Sequence, residues 1–438
     1  MRMHRLCGPL TRLSGPALLA LGALGASGLG LGTAAGAAIP AAAIKSFTWT
    51  GTDSAAGTSS SWSDANNWKA GKAPKQNSTV NLVFPALACA ANAPCGNQSD
   101  NDVTGLTVAS FTLDLGQSSS QPAPGEYDLN GDSITVEGLT VTTPKPKSGD
   151  IPNLAEIGLP ITVAESQTWT LGLNGGGQPQ FLGPITGTGN LTVSSSGFGY
   201  MDFEGGVNVG TLDFVGADSS DTGESASSNG IIALYGNLNA DGNPVNLTDV
   251  GFFSVGSGTL GPLTTSGDNL QVGDGGGSGP YGIETVDGNA VLDSGTYLNL
   301  WGLTPGTGKK PVAGKTYTQI AVDGSLALNS ANLFLYADCN QSVGTSYKII
   351  DATSPLTGTF AGIANNSLVQ AGPDFSNSSC SAAGSVGPWL KIHYNDAAGT
   401  VTATVAPPPP GPDSAAGIHG PTTHAPWRAT MEDGHMVE

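Results

Sequence analysis

Five times between residues 106 and 193 the chain spells a Leu or Ile followed by Thr and Val. These are Leu106-Thr107-Val108, Ile134-Thr135-Val136, Leu139-Thr140-Val141, Ile161-Thr162-Val163 and Leu191-Thr192-Val193. Most stand one or two residues after Gly, Asn or Pro. Branched side chains suit a pleated surface, and the punctuating residues turn the chain between runs. So short a strand cannot bury its apolar face alone. Many of them, at intervals of roughly 20 to 30 residues, predict a solenoid in which neighbouring repeats cover each other.

Composition agrees. The 438 residues include 65 Gly and 29 Pro, and 11% are charged, against roughly 25% in an average domain. Low charge with abundant Thr, Ser and Asn fits an exterior of polar, uncharged strands around a long, thin core. The formal net charge is −19. Such a surface repels nucleic-acid phosphates and anionic membranes, and no basic stripe offsets it, so no nucleic-acid partner is expected.

Arg2, Arg5 and Arg12 precede a Leu/Ala/Gly-rich stretch from Leu13 to Gly32, followed by Ala35-Gly36-Ala37 and Ala41-Ala42-Ala43 as candidate cleavage sites. This is the order of a secretory signal, so residues 1–37 are read as a signal peptide. No later segment is apolar enough to span a bilayer, and the mature chain is expected outside the cell. Cys7 would leave with the leader. Cys89, Cys95, Cys339 and Cys380 remain, and an even number suits disulfides in an exported chain. Of three possible pairings, Cys89–Cys95 and Cys339–Cys380 are favoured because each pair is local in sequence. The cysteines form no CxxC and have no nearby His, so neither a metal site nor a cofactor is expected.

Residues 44–124 are read as a capping segment with the first rungs, 125–406 as the repeated body with closing strands, and 407–438 as a disordered Pro-rich tail. Alternation is clean late in the body, where Leu326 and Leu328, Leu333 and Leu335, and Val401, Ala403 and Val405 recur with period two. No helical period of useful length follows the leader. The predicted fold is all-β and a parallel β-helix, with an antiparallel β-sandwich as the alternative.

Three stretches are similar to the passenger-type repeats of autotransporter and related adhesin-like proteins. The first runs through Trp49, Gly51, Trp62, Asn67, Trp68, Gly71, Pro74 and Val83-Phe84; the second is Gly183-Pro184-Ile185-Thr186-Gly187-Thr188-Gly189-Asn190-Leu191-Thr192. The third comprises Tyr347-Lys348-Ile349-Ile350-Asp351, Gly358-Thr359-Phe360-Ala361-Gly362-Ile363 and Ile392-His393-Tyr394. The resemblance implies a right-handed parallel β-helix that is exported and commonly adhesive. The chain departs from a full autotransporter, because residues 407–438 are too few for a membrane barrel.

Parallel β-helices also carry polysaccharide-degrading enzymes. Asp202 and Glu204 lie two residues apart on one strand face, ~7 Å from each other, within the range of an inverting glycosidase pair. The plainer reading makes them solvated acids beside inward Met201 and Phe203. His393 is expected to point outward beside Lys391, and no G-x-S-x-G, HExxH or P-loop occurs. The acidic stretches Asp128–Asp132, Asp100–Asp102 and 273–277 read as turns between strands rather than calcium loops. Trp62, Asn67 and Trp68 either cap an open end of the fold or form a saccharide contact. The expectation is a secreted, non-enzymatic, adhesin-like or matrix structural protein with extracellular glycans or surface proteins as partners. A polysaccharide lyase or glycoside hydrolase, and a carbohydrate-binding protein, are the alternatives.

Overall fold

The computed structural model describes residues 44–86, 97–118, 127–143, 151–152, 154–173, 178–196, 200–216, 231–234, 236–254, 258–272, 281–305, 310–374, 380, 385–410, 430–432 and 435–437. The leader and Cys89–Cys95 lie outside them. All five triplets are strands or begin strands: Leu106–Asp114, Ile134–Val136, Leu139–Thr143, Ile161–Val163 and Leu191–Ser196. In each, the outer two residues are buried and the threonine between them is not. This is the alternation that a pleated strand with one covered face must have.

The chain is all-β among the described residues apart from the one-turn helix Thr52–Ala55 and short 3-10 turns. Two long parallel sheets, of 16 and 11 strands, dominate, so the antiparallel sandwich is not what the backbone builds. From Ile161 the chain runs through Ile161–Val163 and Gln167–Leu173 in the larger sheet, crosses to Gln178–Phe181 in the smaller, and returns as Ile185–Gly187. Ile185 then lies beside Ile161. The crossover that parallel pairing demands is therefore itself made of strand.

Repetition places like over like. Leu106 pairs with Ile134, Ile134 with Ile161, Ile161 with Ile185, and Ile185 with Val207. The column continues through Leu238, Leu260, Val286 and Val322 to Ala352. Every member is buried. Burying one such branched side chain is worth about 1.5–3 kcal/mol, so the nine that precede Ala352 are a large share of the core. A second column, in the smaller sheet, stacks Leu129, Ile157, Phe181 and Phe203. The last two rings lie 5.0 Å apart at 6°.

Glycine appears where the strands crowd. Gly131 has φ of +108°, and a Cβ there would stand 2.2 Å from the Asn101 carbonyl oxygen. At the C-terminal end the pairing changes sense. Ser346–Ala352, parallel to Gln319–Val322, pairs antiparallel with Thr400–Ala406, which pairs antiparallel with Trp389–Asn395. Leu368–Gln370 forms the last strand of that sheet. Cys339 and Cys380 are bonded, as their spacing predicts. Most of the tail predicted to be disordered lies outside the described residues, but Thr430–Glu432 and His435–Val437 pair antiparallel. They flank Asp433-Gly434, a dipeptide that favours hairpins.

Candidate functional site

The N-terminal segment folds around three indoles. Trp49, Trp62 and Trp68 are buried at 0%, 0% and 2% exposure. Trp68 meets Trp49 edge-on at 5.1 Å and Trp62 at 6.0 Å, and all three surround Phe84. The Trp62 Nε1 donates to Ser99 Oγ at 2.6 Å, and Trp68 Nε1 to the Trp62 carbonyl at 2.8 Å. Asn67 is a structural hub. Its Oδ1 accepts from the Asp53 and Ser54 amides that open the Thr52–Ala55 helix, while its Nδ2 donates to the carbonyls of Ser59 and Ser61. Of the two readings of Trp62, Asn67 and Trp68, burial of both rings leaves no face open to a sugar. The capping reading fits their burial.

Asp202 and Glu204 also differ from expectation. The strand Tyr200–Phe203 ends before Glu204, which is exposed, whereas Asp202 is 6% exposed. Asp202 Oδ2 accepts from Gln180 Nε2 at 3.0 Å, the residue beside it on the neighbouring strand. Burial pushes the Asp202 carboxyl up to about 7; the Gln180 bond pulls it back and the Glu204 charge adds to the rise. The pair is therefore one covered acid and one exposed carboxylate beyond the strand end. Alternation identified the face of Asp202, but not that the face is covered there. His393 is exposed between buried Ile392 and Tyr394, as alternation requires.

Asp100 and Asp128 lie within the strands Gln98–Asn101 and Tyr127–Gly131 rather than in the turns expected of them, because their side chains alternate with buried neighbours along a pleated run. Asp100 accepts from the Ser60 hydroxyl, and Asp102 accepts from the Ser63 amide at 2.8 Å. Asp128 accepts from Asn130. Residues 273–277 lie outside the described set. Among the described residues no group of three or more His, Cys, Asp or Glu could hold a metal ion, and no helix is long and apolar enough to cross a membrane.

What the outer faces do present is order. Thr79, Thr107, Thr135, Thr162 and Thr186 lie side by side in register, followed by Asn208. None is buried. Thr112, Thr140, Thr170 and Ser194 make a second row on the adjoining strands. Successive members of either row stand about 4.8 Å apart. The smaller sheet has a different face. Tyr297, 42% exposed, and Phe334 lie parallel within 8°, with centroids 5.9 Å apart. Beside them, Trp301 and Tyr336 stack at 3.7 Å and 5°. The signal for this cluster is present in the sequence. Tyr297-Leu298-Asn299-Leu300-Trp301 and Asn332-Leu333-Phe334-Leu335-Tyr336 both alternate leucine with an aromatic or amide residue.

No protein-family model, no curated protein and no solved structure matches this chain.

Proposed function

We infer that the protein is an exported, non-enzymatic scaffold of the adhesin-like kind, a right-handed parallel β-solenoid that acts through its outer faces. The observation that carries this reading is the threonine row from Thr79 to Thr186. A hydroxyl repeated on five successive strands offers one donor and two acceptors per step to a surface partner. The signal-like leader supports export, and the resemblance to passenger repeats supports both handedness and adhesion. Burial of Asp202 weighs against the lyase or hydrolase alternative, since a reacting carboxylate must meet its substrate.

Two measurements test this. Expressed from its own leader in a Sec-competent bacterium, the chain should be recovered outside the cytoplasm with its N-terminus shortened by about 37 residues. Recovery intact in the cytoplasm would refute export. Incubated with a panel of polysaccharides, the purified protein should release no reducing ends or unsaturated products. Release that is abolished by Asp202→Asn would establish the enzymatic alternative instead.

A further inference from the structure

We propose that the outer face of the 11-stranded sheet around Tyr297 and Phe334 is a binding platform for a neutral polysaccharide chain. The claim does not depend on export, because binding belongs to the folded chain wherever the cell places it.

The first argument is geometric. On Tyr297–Leu303 the leucines Leu298 and Leu300 are buried, and on Asn332–Ala337 Leu333 and Leu335 are buried. Tyr297, Asn299, Asn332 and Phe334 therefore project from the opposite face. Parallel pairing sets Tyr297 beside Asn332 and Asn299 beside Phe334, so rings and amides alternate in a checkerboard. On the preceding strand, Gln271 stands beside Asn299 and is also partly exposed. Tyr297 and Phe334 stack within 8° at 5.9 Å, and the exposed Tyr297 ring gives this ledge an apolar surface against which a sugar ring can pack. The flanking amides can both donate to and accept from ring hydroxyls. Alternating apolar faces and hydroxyl edges are the signature of a saccharide rather than of a protein surface.

The second argument is an orphaned donor. Trp301 is 3% exposed, and its Nε1 has no hydrogen-bond partner. Buried indole N–H groups ordinarily find an acceptor. Trp301 sits two residues beyond Asn299, where the pairing with the next strand skips a register step. Gly302 makes that irregularity possible. Its φ is +76°, and a Cβ there would lie 2.4 Å from the Tyr281 ring. Bulges of this kind re-aim a side chain and gather beside binding sites. The unpaired indole thus stands at the irregular end of the strand that carries Tyr297 and Asn299, stacked on Tyr336.

Charge selects among saccharides. Asn269–Val272, Tyr297–Leu303 and Asn332–Ala337 contain no ionisable acid or base except Tyr297 and Tyr336, and the chain as a whole carries −19. Uronate or sulfated chains are repelled by that field and find no arginine or lysine on these strands.

The test is native affinity electrophoresis of the full chain in gels containing hydroxyethylcellulose, laminarin, xylan or galactomannan, with alginate and pectate as anionic controls. At least one neutral polymer should retard the protein, and neither anionic one should. Tyr297→Ala should weaken the dissociation constant at least tenfold, and the double variant Tyr297→Ala/Phe334→Ala should abolish retardation. Tyr297→Trp should preserve it. Tyr297 is exposed, so its variants keep the fold, which circular dichroism verifies. Retardation by none of the four neutral polymers overturns the proposal, as does equal retardation of the double variant or binding to alginate that survives it.

Discussion

A carboxyl that is 6% exposed and hydrogen-bonded to a glutamine makes stability a function of pH. Burial raises Asp202 to about 7 from an ordinary value near 4, and it does the same to Asp268, whose carboxylate accepts from the Val250 and Ser266 amides. The folded state thus holds these protons to higher pH than the unfolded chain does. Stability contributed by the two acids is complete below about pH 4 and falls as pH rises to about 7, by up to about 4 kcal/mol per group. Urea denaturation between pH 4 and 8 should show this decline, and Asp202→Asn should flatten part of it. An Asp202→Asn profile as steep as the parent's would contradict the burial of that acid. The indoles of the N-terminal segment act by volume instead. Trp68→Ala should cost about 3–5 kcal/mol and leave polysaccharide retardation of the surviving fold unchanged. Residue by residue, the inward positions were readable from alternation, as the buried ends of all five triplets attest. The coverings of Asp202 and of Trp62 were not. Alternation assigns a side chain to a face, but whether distant chain closes over that face depends on contacts many residues away.

At the scale of elements, the triplets mark their strands and the late Val401, Ala403 and Val405 alternation marks the closing one. What the sequence lacks is the sense of pairing. Thr400–Ala406 alternates as the earlier strands do, yet it pairs antiparallel with Ser346–Ala352, because the chain turns back after Trp389–Asn395. The Cys339–Cys380 bond spans 41 positions across the segment that leads into these closing strands. Chain-entropy arithmetic gives such a loop about 4 kcal/mol. Cys339→Ala/Cys380→Ala should lower the urea midpoint accordingly, and a reductant should destabilise the unmodified protein by at least that amount. Gly131→Ala, which drives a methyl group against the Asn101 carbonyl, should be the more damaging of two single substitutions when compared with Gly242→Ala, where a methyl group meets open space at a similar positive φ.

Across the described strands, parallel stacking persists while the length of each repeat varies. In the smaller sheet, 18 residues separate Phe253 from its partner Gln271, whereas 35 separate Asn299 from its partner Phe334. Stability of such an array is approximately a sum over neighbouring repeats. Deleting residues 134–160 should therefore bring Ile161 against Leu106 with the column intact. The shortened chain should keep its far-ultraviolet circular dichroism per residue and unfold within a few degrees of the parent. Collapse to an unfolded chain would mean that the repeats are not interchangeable. The acidic balance acts at this scale too, since mutual repulsion discourages exposed strand edges from joining between molecules.

The tolerance for unequal connections has a practical side. Where the backbone leaves one strand and travels to the next, one connection can be 17 residues longer than another and the strands still pair in parallel. Foreign peptides spliced at those bends would be carried beside strands whose pairing they do not enter. A frame of this kind could be loaded with epitopes or enzymes without redesigning what lies inside it.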